Sequence, residues 1–218
     1  MSTTIYLLRH GETLFNVQHK TQCWCDSPLT ERGKEQARLT GLEYRRRGIS
    51  IDRAYSSTSE RCSDTLEIMS EAAFGHVLPY ERLKGLKELN FGIFEGKDQF
   101  LEPPRDSDDF NHFYAQHGGE DFDEAALRLE RCLSEVAEAN DGGTVLCVSH
   151  GGIALQLFLK WRDRSRVLSI TFANCVTYVY TYDDGIFTCE DIFVADLSSL
   201  DQPGMPPQVR VMQGGFGR

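Results

Sequence analysis

Two short apolar runs, far apart in the chain, each lead into a histidine followed by glycine. Thr4 to Leu8 precedes Arg9-His10-Gly11, and Thr144 to Val148 precedes Ser149-His150-Gly151. Runs of this length, apolar and closed by glycine, predict buried strands. Since ligands of open α/β sheets bind beyond the carboxyl ends of the strands, the two histidines are expected to face each other. A single histidine there is as often a packing residue, but two in matching contexts favour a shared site.

The rest of the chain alternates helical and strand patterns. Helices are predicted at Thr30–Arg47, Ser59–Ala73, Asp123–Ala139 and Ile153–Trp161, and further strands at Ile51–Ser56, Val176–Tyr182 and Ile186–Val194. Asp183-Asp184-Gly185 joins the last two strands as a hairpin turn, which makes the sheet mixed. The pattern predicts a three-layer α/β/α sandwich around a mostly parallel mixed sheet. Residues 1–201 are predicted to form one domain, and residues 202–218, rich in proline and glycine, an irregular tail.

The charge balance argues against several classes of partner. Lysine and arginine number 23 against 33 acidic residues, a formal charge of −10, so no affinity for nucleic acid or anionic membranes is expected. No run approaches the roughly 20 apolar residues of a membrane-spanning helix, and a signal-peptide pattern is not expected at the N-terminus. The seven cysteines are scattered and odd in number, which favours a reduced, cytoplasmic setting.

Positive side chains are predicted beside the two histidines. Arg9 precedes His10 directly, and Arg61 begins a helix after the strand that ends in Ser56-Ser57. Guanidinium groups match phosphate oxygens bidentately, and a neutral imidazole is a nucleophile that needs no metal. The combination predicts phosphoryl transfer, although Arg61 taken alone is more often a solvated helix residue or an ion-pair partner.

Five motifs extend this pattern in order. They are Leu8-Arg9-His10-Gly11-Glu12-Thr13 with Asn16 and Asp26-Ser27-Pro28-Leu29-Thr30; Tyr55-Ser56-Ser57-x-x-x-Arg61; Leu86-Lys87-Glu88-Leu89-x-Phe91-Gly92; Gly118-Gly119-Glu120; and Val148-Ser149-His150-Gly151-Gly152. From Ile5 to Asn174 the chain resembles the phosphoglycerate-mutase-like branch of the histidine phosphatase superfamily. The resemblance implies that family's sandwich fold and hydrolysis of a small-molecule phosphomonoester through a phosphohistidine, with no cofactor and no metal. It is also compatible with a homodimer.

The resemblance further implies a role for each site residue. His10 is the phosphorylated nucleophile, with Arg9, Arg61 and His150 around the transferred group, and Glu88 is the proton donor to the leaving oxygen and then the base that activates water. Phosphate or substrate contacts are expected from Arg9, Asn16, Gln22, Cys23, Arg61, His150 and Gly151. A carboxyl group beside a negative phosphate has its protonated form favoured, which suits Glu88 to the acid role. Glu12 is expected to orient the loop.

The residues after Glu88 favour a phosphatase. Mutases of the family carry an Arg-His-Tyr-Gly type sequence there, whereas this chain has Phe91-Gly92-Ile93-Phe94-Glu95-Gly96, as its phosphatases do. A cofactor-dependent phosphoglycerate mutase and a non-catalytic relative that binds a phosphorylated protein stay open as alternatives. An α/β hydrolase with Ser149 as nucleophile fits less well, because Cys147-Val148-Ser149-His150-Gly151 lacks the first glycine of the nucleophile elbow.

Two segments depart from the family pattern or vary within it. Cys23 stands where the family usually has glycine and Lys20 where it has arginine, and Cys23-x-Cys25 lacks the usual zinc-site spacing. The segment Lys97 to Gly118 is rich in acidic residues and carries the aromatic residues Phe100, Phe110, Phe113 and Tyr114. As a cover over the pocket it predicts a less charged or partly apolar ester; a solvated face with core aromatics is the alternative.

Overall fold

A computed structural model describes residues 1–102, 110–161 and 173–200. Its strands are β1 (Thr3–Arg9), β2 (Arg53–Ser57), β3 (Tyr80–Leu83), β4 (Thr144–Ser149), β5 (Thr177–Asp183) and β6 (Ile186–Phe193). They form one sheet in the order β3-β2-β4-β1-β5-β6. β3, β2, β4 and β1 run parallel, β5 is antiparallel to β1, and β6 is antiparallel to β5. The predicted mixed, mostly parallel sheet is confirmed.

Helices cover both faces of this sheet. Within the described ranges the α-helices are α1 (Leu14–Val17), α2 (Glu31–Arg46), α3 (Glu60–Phe74), α4 (Phe110–Phe113), α5 (Phe122–Ala139) and α6 (Gly151–Trp161). One buried cluster joins the sheet to α2 and α3, and a second joins it to α5 and α6. Leu7 and Leu8, adjacent in β1, belong to different clusters because successive side chains of a strand point to opposite faces. The three-layer sandwich is therefore confirmed.

Local signals explain where the main elements begin and end. The Thr30 hydroxyl accepts a hydrogen bond from the Gly33 amide and caps α2, as the predicted helix start implies. Asp184 and Gly185 have φ values of +46° and +80°, which is a two-residue type I′ turn between β5 and β6. The predicted tail, residues 202–218, lies outside the described residues.

Three of these elements, β3, α1 and the four-residue helix α4, were not predicted from the sequence pattern. β3 contains no buried residue, because it is an edge strand, and so it lacks the apolar alternation that marks a strand. α1 has only four residues and is held by a capping box between Thr13 and Asn16.

In the described parts of the chain, no helix combines the length and apolar character needed to cross a bilayer.

Candidate active site

His10 and His150 lie side by side at the carboxyl edge of the sheet. β1 and β4 are parallel neighbours with Arg9 opposite Ser149, so the residues that follow them leave the sheet together. The two imidazole centroids are 5.3 Å apart, with an angle of 67° between the rings. Both side chains are buried. The structure thus brings together the two histidines that the strand pattern singled out.

Hydrogen bonding defines the tautomer of His10. Its Nδ1 lies 2.7 Å from the carbonyl oxygen of Gly11, which can only accept, so Nδ1 carries the proton. The lone pair therefore resides on Nε2. Burial, reinforced by the positive charges of Arg61 and Arg9, holds the pKa of His10 well below its ordinary value of 6.5. At neutral pH His10 is an uncharged imidazole with a nucleophilic Nε2.

His150 is also held in one neutral tautomer. The Nη2 group of Arg61 donates to Nδ1 of His150 at 2.9 Å, so the ring proton is on Nε2, 2.8 Å from the hydroxyl oxygen of Ser57. Burial and the Arg61 charge lower the pKa of His150 well below 6.5. Ser57 was not predicted as a site residue, although it belongs to the Tyr55-Ser56-Ser57 motif.

Arg61 is fully buried in the first turn of α3. Its Nη1 donates to the Cys25 carbonyl at 3.2 Å and to Asp26 at 2.8 Å, and its Nη2 donates to the Cys23 carbonyl at 2.9 Å. With the bond to His150, these contacts use the four Nη protons, and Nε has no partner among the described residues. Arg61 is therefore not a solvated helix residue; it forms an ion pair with Asp26, holds loop 23–26 against the carboxyl edge of the sheet and places a charge there.

Arg9 and Gly151 pack against each other beside His10. A Cβ atom on Gly151 would lie 2.8 Å from the Nε atom of Arg9, closer than real side chains approach. Only glycine leaves room for the guanidinium group at the start of α6. The charge of Arg9 contributes to the lowered pKa values of both site histidines.

Asn16 lies beside the His10 loop, and the NH₂ group of its side chain is still available as a hydrogen-bond donor. Its Oδ1 accepts from the Thr13 amide at 3.2 Å and from Nδ2 of Asn174 at 3.3 Å, while its own Nδ2 has no hydrogen bond among the described residues. Asn174 also donates to the His10 carbonyl at 3.2 Å. It thereby ties the His10 loop to the segment before β5, a role that no local sequence signal indicated.

Gln22 and Cys23 contribute to the site chiefly as part of the loop. The Gln22 amide lies 2.6 Å from the Thr13 hydroxyl, and with its oxygen facing Ser27 it accepts from the Ser27 amide at 3.1 Å. The Cys23 thiol is buried, and burial raises its pKa well above the ordinary value. Desolvation likewise raises the pKa of Cys25 to about 11, so neither thiol is poised as a thiolate nucleophile.

Glu88 reaches the same edge from the loop after β3. Its Oε1 accepts from the amide of Ile153 at 2.7 Å and its Oε2 from the amide of Gly152 at 2.8 Å. The Leu89 amide adds a third bond at 3.2 Å. The carboxylate thus lies at the N-terminus of α6, where the first backbone amides of the helix have no partner within the helix and can bind it.

Arg128 fixes the backbone around Glu88. From α5 it donates to the carbonyls of Gly85, Lys87 and Glu88 at 2.9, 2.8 and 3.0 Å. Its guanidinium group also pairs with Glu120 at 2.9 Å, which accounts for the Gly118-Gly119-Glu120 motif. The sequence pattern drew attention to the apolar face of this helix and missed Arg128.

Glu95 explains the motif that follows Glu88. Its carboxylate accepts hydrogen bonds from the amides of Cys23, Trp24 and Cys25, between 2.9 and 3.2 Å, and from Phe91 at 3.1 Å. The motif therefore anchors the loop that Arg61 holds from the other side. Residue 92, the second position of the Phe91-Gly92-x-x-Glu95-Gly96 motif, must be glycine, because its φ is +57° and a Cβ there would lie 2.2 Å from the His117 carbonyl oxygen.

Glu12 was expected to orient its loop, and its carboxylate accepts a hydrogen bond from the Thr30 hydroxyl at 2.7 Å.

The aromatic residues of the segment from Lys97 to Gly118 do not all belong to a cover. Phe113 and Tyr114 pack against Phe94 with ring centroids 5.1 and 5.9 Å apart, so they follow the core-aromatic alternative. Phe100 is 80% exposed. Residues 103–109, which hold much of the acidic charge, and the side chain of Phe110 lie outside what the structure describes. Across the described ranges, no three His, Cys, Asp or Glu side chains are grouped so as to hold a metal ion.

Because both site histidines are buried and uncharged, stability is expected to fall as the pH drops below 6.5. The unfolded chain takes up protons at the ordinary histidine pKa, whereas burial lowers the folded pKa values of His10 and His150. Each histidine therefore costs up to about 1.4 kcal/mol of unfolding free energy per pH unit in that interval. Urea unfolding between pH 6.5 and 5.5 measures this slope. The His10→Gln variant should show a shallower slope, and an unchanged slope would contradict the buried neutral state of His10.

Comparisons with known proteins agree on one family. The model of the histidine phosphatase superfamily (branch 1) matches residues 5–194. A broad-specificity phosphatase of Saccharomyces cerevisiae is 33% identical over 72% of this chain and 69% of its own length. The probable phosphoglycerate mutase GpmB of Salmonella choleraesuis is 29% identical over 92% and 96%. Among solved structures, phosphoglycerate mutase from Bacillus anthracis aligns with a TM-score of 0.76 and 30% identity, covering 90% of this chain and 94% of that one.

Proposed function

We propose that this chain, which belongs to the histidine phosphatase superfamily, hydrolyses small phosphomonoesters through a phosphohistidine at His10 and needs no metal. The observation that carries this proposal is the state of His10. Its Nδ1 proton is bound to the Gly11 carbonyl, which leaves the Nε2 lone pair available within a buried and positively charged edge. Two arginines and a second histidine supply the charge and hydrogen bonding that phosphoryl transfer requires.

In the first step, the Nε2 lone pair of His10 attacks phosphorus and the bond to the leaving oxygen breaks. Glu88 gives its proton to that oxygen, and an alcohol departs. Glu88 is held by the amides of Gly152 and Ile153 at the start of α6, and a negative ester that binds beside it favours uptake of this proton from solvent. Arg9 and Arg61 offset the charge on the equatorial oxygens.

In the second step, water hydrolyses the phosphohistidine. The Glu88 carboxylate takes one proton from water, whose oxygen attacks phosphorus while the P–N bond breaks. The electron pair of that bond returns to Nε2, so His10 is again neutral, and inorganic phosphate leaves. Asn16 fits a hydrogen bond to the transferred group, because its Nδ2 is available. His150 keeps its position through Arg61 and Ser57.

A phosphatase is favoured over a mutase by the segment after Glu88. Its Phe-Gly-x-x-Glu-Gly sequence is the type found in phosphatases of the family, and Glu95 ties that segment to the loop over Arg61. A mutase is the second candidate, because two of the relatives carry that name. We also place the protein in the cytoplasm, a proposal supported by its seven cysteines, which are all free thiols.

The first test is a panel of phosphomonoesters with a chelator present, which includes p-nitrophenyl phosphate and 3-phosphoglycerate. A coupled assay on 3-phosphoglycerate with added bisphosphoglycerate measures mutase flux in parallel. We expect phosphate release that the chelator leaves intact and that vanadate, a mimic of the five-coordinate phosphoryl group, inhibits. Strong mutase flux with negligible hydrolysis would identify a mutase instead of a phosphatase. Absence of activity in both assays would favour a binding protein.

A further inference from the structure

Lys87 is a cation next to the proposed acid, and it is not used by the mechanism above. Within the described residues it forms no ion pair, whereas Lys20, Lys34 and Lys160 each contact a carboxylate. Its Nζ lies 4.7 Å from the centroid of the Trp24 ring, a cation–π contact. In a chain with a formal charge of −10, a lysine held on an aromatic ring rather than on an acid is available to an anionic ligand.

The pair formed by Lys87 and Trp24 is firmly placed. Arg128 binds the Lys87 carbonyl at 2.8 Å, and the Trp24 indole N–H donates to the carbonyl of Glu88 at 3.3 Å. The Trp24 amide is bound in turn to Glu95 at 2.9 Å. These contacts hold the backbone of Lys87 and the indole ring beside Glu88, and the cation–π contact holds the ammonium group on that ring.

This pair also lies beside the proposed acid, because Lys87 precedes Glu88 in the chain and the Trp24 indole is bound to the Glu88 carbonyl. The positive charge of Lys87 also contributes to the lowered pKa of the buried His150. Trp24 is 48% exposed, so solvent and a bound ligand can reach it. The proposed mechanism sets the leaving oxygen beside Glu88. A leaving group bound there would be near Lys87 and Trp24, which are fixed relative to the backbone of Glu88.

We propose that Lys87 and Trp24 form a leaving-group subsite that selects phosphomonoesters carrying a further anionic group, a carboxylate in the simplest case. The inference rests on the proposed function, because it takes Glu88 as the point where the leaving oxygen lies. The Lys87 ammonium pairs with the anion, and the Trp24 ring holds that ammonium in place and lines one side of the leaving group. This substrate class differs from the less charged ester predicted from the acidic segment Lys97 to Gly118.

The test compares 3-phosphoglycerate with glycerol 3-phosphate, in which a hydroxymethyl group replaces the carboxylate. Lys87→Gln should lose about tenfold more kcat/KM on 3-phosphoglycerate than on glycerol 3-phosphate, mainly through KM, because one charge-assisted contact is removed. Lys87→Glu should enlarge this difference by repulsion. Trp24→Leu should change the ratio in the same direction by a smaller factor. Lys84→Gln, an exposed lysine three positions earlier, is the matched control and should leave both values unchanged.

The outcomes separate this inference from the proposed function. Equal losses on the two esters in Lys87→Gln would overturn the subsite while leaving the phosphatase assignment intact. Hydrolysis of p-nitrophenyl phosphate without measurable turnover of 3-phosphoglycerate would overturn it as well. Absence of hydrolysis with all three compounds would instead reject the phosphatase assignment, and the subsite with it.

Discussion

Replacing His10 with alanine is expected to abolish phosphatase turnover, with a loss on the order of 10⁴-fold or more in kcat, as for removal of a catalytic nucleophile. The reason is that Nε2 of His10 is the atom proposed to bond to phosphorus, and its tautomer is set by the 2.7 Å contact with Gly11. Phosphate release from p-nitrophenyl phosphate measures this loss. The exposed His76 provides the control, and His76→Ala should retain full activity.

A second measurement shows whether the phosphoryl group is carried by histidine. Protein quenched during turnover should contain a phosphate that is released by acid and survives base, because a P–N bond is labile in acid. The label should be absent from His10→Ala and present in His76→Ala. An acid-stable label would identify a hydroxyl group as the acceptor and would contradict the proposed mechanism.

Replacing Glu88 with glutamine is expected to slow hydrolysis of esters with poor leaving groups by about 10²- to 10⁴-fold, the usual contribution of a general acid. The effect on p-nitrophenyl phosphate should be much smaller, because its leaving group departs without a proton. The kcat/KM values for an alkyl ester and for p-nitrophenyl phosphate, measured on the same preparations, give the comparison.

Glu95 supplies a matched control for Glu88. Both carboxylates accept several backbone amides near the site, but Glu95 binds loop residues rather than the start of α6. Glu95→Gln should therefore loosen the loop and slow both esters by a similar factor. If Glu88→Gln also slowed both esters equally, its role would be structural and the acid would have to be sought elsewhere.

Most of the fold could be predicted from local patterns, because the central strands are apolar and the long helices carry apolar residues at helical spacing. β1 and β4 are buried on both faces, so their residues form continuous apolar runs. β3 could not be found in this way. It pairs only with β2 at the sheet edge, and its polar residues face solvent, so nothing in Tyr80–Leu83 distinguishes it from a loop.

The candidate site divides in the same way. Residues that follow strands or lie in motifs, such as His10 and His150, could be placed from the sequence and the resemblance. Arg128, Asn174 and Ser57 support these residues through contacts between segments far apart in the chain. Such contacts depend on three-dimensional packing. The sequence around an arginine on an amphipathic helix, or around a serine after a strand, therefore does not predict them.

The position of β1 has a consequence for how the chain reaches its native state during synthesis. Of the six strands β1 is made first, yet its two neighbours in the sheet are β4 and β5, which are made fourth and fifth. At about 5–20 residues per second, the ribosome leaves the apolar β1 unpaired for roughly 10 to 30 seconds. The site cannot form in that interval, because His10 meets His150 only after β1 has inserted between strands from the other end of the chain. Folding is therefore completed late, and the apolar β1 is exposed to aggregation until its partner strands have been made.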